Sequence, residues 1–216
     1  MIIALLKKEF SLEIRRKAVI SGLVIYLLST VFIGYMAFGF RVIDPISWSA
    51  LFWITLLFTA VNIISKGFVG ESKGREIYYY SVANPSAIIV SKIVYGFLIC
   101  SALSFFGFLL FAVFFSHPIE DIWLFILLII LVSFGFSASL SLLSSIASKA
   151  TNSGILMAVL SFPVIISILL LAIKVTKNCI DGLDRSASFD ELLTLVAINC
   201  LVSATSYLLF PYIWRS

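Results

Sequence analysis

Side chains able to carry acid–base, nucleophilic or metal chemistry are few in this chain. Of 216 residues one is histidine and three are cysteine. His117 stands alone beside Pro118, and Cys100, Cys179 and Cys200 fall in no CxxC, CxxCH or zinc-type spacing, so the thiols read as small apolar fillers. No GxxxxGK[ST] loop is present to cradle nucleotide phosphates. No paired carboxylates, HExxH or nucleophile-and-base set lies within the apolar runs. The reactive types gather instead in one polar stretch, residues 66–92, KGFVGESKGREIYYYSVANPSAIIVSK. It holds Glu71 and Glu76, the cations Lys66, Lys73, Arg75 and Lys92, and the triplet Tyr78, Tyr79 and Tyr80. That set suits recognition rather than bond making.

The elements around this stretch are set by hydropathy. The chain is 62% hydrophobic and 12% charged, about half the roughly 25% charge of a soluble domain, and its mean hydropathy is +1.15. Six uncharged runs are long enough to cross a bilayer: 18–40, 45–65, 93–119, 122–148, 150–173 and 192–214. A span needs about 20 apolar residues for a core of about 30 Å. Lipid offers no hydrogen bonds, so such runs are helices or closed barrels, and none shows the alternation of barrel strands. The first run is also longer than the 7–15 residues or so of a signal-peptide core, so it is expected to stay in place. The expected architecture is a single all-α transmembrane domain over 1–216.

Charge orients it. With the N-terminus inside, 11 of the 15 lysines and arginines face the cytoplasm, and Arg41, Lys174, Lys177 and Arg185 face outward. Cationic excess marks the cytoplasmic side, so both termini and the polar stretch are expected there. Residues 1–17 place Ile3, Leu6, Phe10 and Ile14 at helical spacing among charges. This predicts an amphipathic in-plane helix with its apolar side in lipid and its cations toward headgroups.

Within the stretch, Gly67, Gly70 and Gly74 each weaken a helix by about 1 kcal/mol, so the second span should end or bend among them. Asn84-Pro85 reads as an N-cap followed by proline at the first helical position. Between lies a short charged and aromatic element. Tyrosine and arginine suit docking into a groove on a soluble partner, and tyrosine and lysine equally suit anchoring at headgroup level.

A six-span layout, an amphipathic N-terminal segment and this connector resemble the membrane subunit of an ABC-type exporter of the type 2 kind. More narrowly, the chain resembles the heme exporter protein B (CcmB) family of cytochrome c maturation. The family's connector has an acidic residue, a glycine, a glutamate, a hydrophobic patch, a proline turn and a lysine opening span three. The matching positions are Glu71, Gly74, Glu76, Ile77 to Tyr80, Pro85 and Lys92. The chain departs in reading Gly74-Arg75-Glu76 where Gly-x-Leu-Glu is common, in having one proline, and in placing tyrosines where leucines are usual.

The resemblance implies a non-catalytic permease subunit of the bacterial inner membrane that binds no cofactor directly. It implies a separate ABC ATPase subunit carrying ATP, expected in two copies, a multi-span heme-handling subunit and a small single-span one. The second membrane position is open to another copy of this chain or a different subunit. Heme is the implied cargo, unless the stroke instead releases a heme-loaded chaperone. Glu71, Gly74, Arg75, Glu76, Tyr78, Tyr79, Tyr80 and Pro85 become the expected ATPase-coupling residues. No metal site and no nucleic-acid partner is expected, and lipids are the other contact. The alternative is an ABC-2-type exporter subunit for a lipid, drug or polysaccharide.

Inside the spans, Ser133, Ser137, Ser141 and Ser145 recur every fourth residue and read as a helix-packing face. Asn62 and Asn199 are expected interhelical hydrogen-bond donors, and Pro163 a kink. The phenylalanines of span three, Phe97 through Phe115, point around that helix, which suits lipid and neighbouring helices. No charge lies mid-span, which disfavours a proton relay. Residues 174–190 are expected to form a solvated outer loop.

Overall fold

The computed structural model describes residues 2–15, 17–38, 43–64, 68, 84–115, 119–150 and 153–215. Every regular element among them is helical: α1 (Ile2–Arg15), α2 (Lys17–Ala37), α3 (Pro45–Ile64), α4 (Pro85–Phe114), α5 (Ile122–Ala147), α6 (Ser153–Ile180) and α7 (Phe189–Arg215), with a 3₁₀ turn Arg185–Ser188 before α7. Five of these regions, those of α3 to α7, are long and apolar enough to cross a membrane. The 20 residues of α3 rise roughly 30 Å at about 1.5 Å each. The described apolar part of α2, Ser21–Ala37, is shorter.

Local signals set the helix ends. The Asn84 carboxamide oxygen accepts from the Ser86 amide at 3.2 Å, and Pro85 takes the first helical position. α4 therefore begins at Pro85, so residues 85–92 are its first two turns rather than part of the connector. The Asp44 carboxylate accepts from the Ser47 amide at 3.1 Å where Pro45 opens α3.

The outer loop expected over 174–190 is mostly helix. α6 runs on to Ile180, and α7 starts at Phe189. Lys174 lies near the C-terminal end of α6 and pairs with Glu191 in the first turn of α7. Lys177 in the last turn of α6 and Asp190 and Glu191 in the first turn of α7 have the signs that helix ends favour.

α5 is the central helix, packed by α4, α6 and α7 and buried along most of its length. Its small residues permit this. A Cβ added at Gly96 of α4 would lie 2.5 Å from the Ser137 hydroxyl, and that hydroxyl donates to the Ile93 carbonyl at 2.6 Å. The Ser104 and Ser133 hydroxyls meet at 3.3 Å. Ser133, Ser137, Ser141 and Ser145 are all buried, as are Ser139 and Ser144 off that row.

Asn199 of α7 donates to the Leu131 carbonyl of α5 at 2.9 Å, an interhelical bond. Asn62 does not play the expected part: it is exposed and donates to Phe58 of its own helix at 2.9 Å. The Phe58 carbonyl, four residues back on the same helix, is within reach of a side chain facing outward. Pro163 lies inside α6. Phe97, Phe108, Phe111 and Phe114 do point around α4, with Phe97 against Phe134 and Phe114 against Phe32 and Tyr35. Phe111, however, joins Trp48, Phe52 and Phe125 in a fully buried aromatic cluster between α3, α4 and α5.

Candidate functional site

Lys92 sits at the end of the second turn of α4 and is only 6% exposed. Its ammonium lies 3.4 Å from Glu9 Oε1 on α1 and 4.5 Å from the centroid of the Phe68 ring. Lys8 reaches the same Glu9 oxygen at 2.9 Å. One turn further along α4, Tyr95 meets Phe10 edge to face at 5.2 Å. Isolated charge is costly to bury, and the carboxylate together with the ring face is what makes a buried ammonium tolerable here. Burial pushes the Glu9 carboxyl up, but Lys92 and Lys8 outweigh it and hold the group below its ordinary value.

α1 reaches this place through one side. Leu5, Leu6, Glu9 and Phe10 are half-buried, while Ile3 is 81% exposed. The row Ile3, Leu6, Phe10, Ile14 is thus not one lipid-facing side: Phe10 packs on protein, and the Ile14 side chain lies outside the described residues. Phe68, Ile88, Ile89, Ile93, Ala138, Phe210 and Trp214 form a separate apolar cluster beneath, against which Leu5 packs. The start of the chain, the base of α4, the middle of α5 and the end of α7 therefore meet around Lys92. A cavity of only about 20 Å³ remains beside it, so the junction is closed.

Of the expected coupling residues, Glu71, Gly74, Arg75, Glu76, Tyr78, Tyr79 and Tyr80 lie outside the described residues, as does His117. Pro85 is described and opens α4. The sequence reading had Lys92 opening the third span and did not pair it with Glu9, a residue 83 positions earlier with no local spacing to link them.

The opposite end of the bundle is welded between two connections. Arg185 donates from Nε to Asp121 Oδ2 at 2.6 Å and from Nη2 to Oδ1 at 3.1 Å. The Glu120 and Asp121 amides donate to the Cys179 carbonyl at 3.0 and 3.3 Å. Asp121 also caps α5 by accepting from the Leu124 amide at 3.1 Å. The hydrogen bond from Arg185, with that cap, holds the Asp121 carboxyl below its ordinary value. Gly182 has φ +62° and backs onto the Glu120 carboxylate so closely that a Cβ would collide with it. The positive φ is what favours glycine there.

The family model described as CcmB protein matches residues 1–207. This chain belongs to the CcmB family. No curated protein and no solved structure gave a match. As a CcmB protein it is a multi-pass membrane protein and a permease-type membrane subunit of the ABC system for heme export and cytochrome c maturation. Family membership also places it in a complex with other subunits of that system. In this CcmB chain the Lys92 junction lies in the first two turns of α4, the helix that opens at Pro85.

Proposed function

We propose that this CcmB chain transmits the work of a partner ATPase through residues 71–85 into its spans. It does so as a six-span subunit, with α2 as the first span. The chain sits in the bacterial inner membrane with both termini cytoplasmic, and a soluble ATPase in two copies binds the connector. Glu71 and Glu76 meet basic residues of the ATPase, Arg75 an acidic one, and Tyr78 to Tyr80 supply buried area. The stroke either moves heme or releases a heme-loaded chaperone from the complex.

The observation that carries this reading is the continuity at Pro85. The connector ends on a capped proline and feeds directly into the 30 residues of α4, and α1 is fixed to that helix within two turns by Glu9 and Lys92. A displacement at Pro85 therefore cannot be absorbed by a slack loop before it reaches the bundle. A rigid element with two packings is what lets a distant event bias a membrane domain.

The test is the double change Glu76→Ala, Tyr79→Ala in the assembled complex. Truncating an interface hot spot costs at least about 2 kcal/mol, roughly thirty-fold in affinity. The ATPase should be lost on purification in mild detergent and c-type cytochromes should disappear, with the chain still inserted. Charge reversal at Lys177 should do neither. Normal retention of the ATPase with normal cytochrome levels would leave the connector as a surface anchor only.

A further inference from the structure

At the end of the bundle opposite Lys92, a cleft of about 850 Å³ opens between residues 120–123 and 182–186. Its two sides are linked by the Asp121–Arg185 pair and by the Glu120 and Asp121 amides on the Cys179 carbonyl. Trp123 is 74% exposed and Leu183 49%, with Ile122 beside them at 41%. Exposed tryptophan is among the strongest anchors at protein contacts. A cleft of this size accepts several side chains at once.

Charge decides what enters. Asp121 is neutralised by Arg185. Glu120 and Asp184 on the same walls, and Asp181 next to them, have no ion-pair partner among the described residues. The mouth is therefore anionic beside the exposed Trp123. Such a rim repels acidic lipid headgroups, which basic segments attract, and it favours a cation arriving with apolar surface attached. Across interfaces, opposite fields set partner choice and register.

We propose that this cleft docks another protein, one that presents a lysine or arginine next to an aromatic or branched apolar side chain. The cation meets Glu120 and Asp184, and the apolar group packs on Trp123 and Leu183. The docking frame is Asp121, Arg185 and Gly182, which hold the walls at fixed separation and need not touch the partner. This surface is separate from the ATPase contact, and its loss leaves ATPase co-purification unchanged.

The experiment places a photoreactive benzoylphenylalanine at Leu183 in cells making the whole complex, and identifies the crosslinked peptide by mass spectrometry. The expected product joins Leu183's position to a peptide of a different chain that contains lysine or arginine. Reversing the rim with Glu120→Lys and Asp184→Lys, and separately Trp123→Ala, should cut the yield about ten-fold or more, with chain level and ATPase retention unchanged. Lys177→Glu should leave the yield as it was. Adducts with lipid only, with a second copy of this chain, or with a peptide lacking cations each overturn the proposal. So does an unchanged yield after rim reversal, or no adduct at all.

Discussion

Half-buried Glu9 of α1 and buried Lys92 of α4 form an ion pair at 3.4 Å, with the Phe68 ring 4.5 Å from the ammonium. The contact joins the first helix of the chain to the helix that follows the connector. With Phe10 against Tyr95 it makes α1 a packed part of the bundle rather than a loose surface leader.

Removing one partner of this pair should be worse than removing both. Breaking a buried pair from one side costs about 3–5 kcal/mol, because the other charge is left stranded. Glu9→Ala removes the carboxylate 3.4 Å from the Lys92 ammonium, a side chain only 6% exposed. Lys92→Met should cost less, since Lys8 remains 2.9 Å from Glu9. The double variant Glu9→Leu, Lys92→Met should regain most of the loss. Thermal melting of the purified protein in detergent measures all three, and equal losses in every variant would mean the pair is not coupled.

Acid should loosen the same junction. Glu9 in the folded chain binds its proton more weakly than at its ordinary value of 4.5. Its contribution is therefore complete above about pH 4.5 and fades as pH falls through the lower folded value. Melting temperatures of the parent chain and of Glu9→Gln should differ near neutrality and converge in acid. A constant difference down to about pH 3 would assign the stability to other groups.

Gly135 of α5 packs tightly against Asn199 of α7 and Ile168 of α6. A Cβ there would sit 2.5 Å from Asn199 Oδ1 and 3.2 Å from Ile168 Cδ1. Asn199 has little room to yield, because its amide is held by the Leu131 carbonyl at 2.9 Å. Gly135→Ala should destabilise by about 1–3 kcal/mol, the usual cost of overpacking. Gly154→Ala, with nothing within 4 Å of the new carbon, should be neutral or gain up to about 1 kcal/mol. Denaturation in mixed micelles compares them.

The indole of Trp53 donates to the Thr176 hydroxyl at 2.8 Å, tying α3 to α6 in the buried interior. Interhelical hydrogen bonds in membrane proteins average about 0.6 kcal/mol and reach about 1.7 kcal/mol. A cycle of Trp53→Phe, Thr176→Val and the double variant should give a coupling energy in that range. A coupling indistinguishable from zero would mean that packing alone holds the two helices.

Most of the helices were legible in the sequence, but the extension of α6 to Ile180 was not. Uncharged runs, the Asn84-Pro85 cap and the fourfold serine spacing are local patterns, and the backbone must satisfy itself locally wherever lipid is the solvent. Asn199 was legible as an interhelical donor for the same reason, since a carboxamide inside a span must find a partner. Facing was not legible. A helix such as α4 is apolar all round, and lipid is as apolar as a protein interior, so no amphipathic stripe reports which side is buried. Only the assembled bundle put α5 at its centre, turned Asn62 outward and gathered Phe111 with Trp48 and Phe52. The pairing of Glu9 with Lys92, and of Asp121 with Arg185, joins residues far apart in the chain. Such pairs carry no spacing signal, because their distance is set by how whole helices pack and not by the period of any one of them.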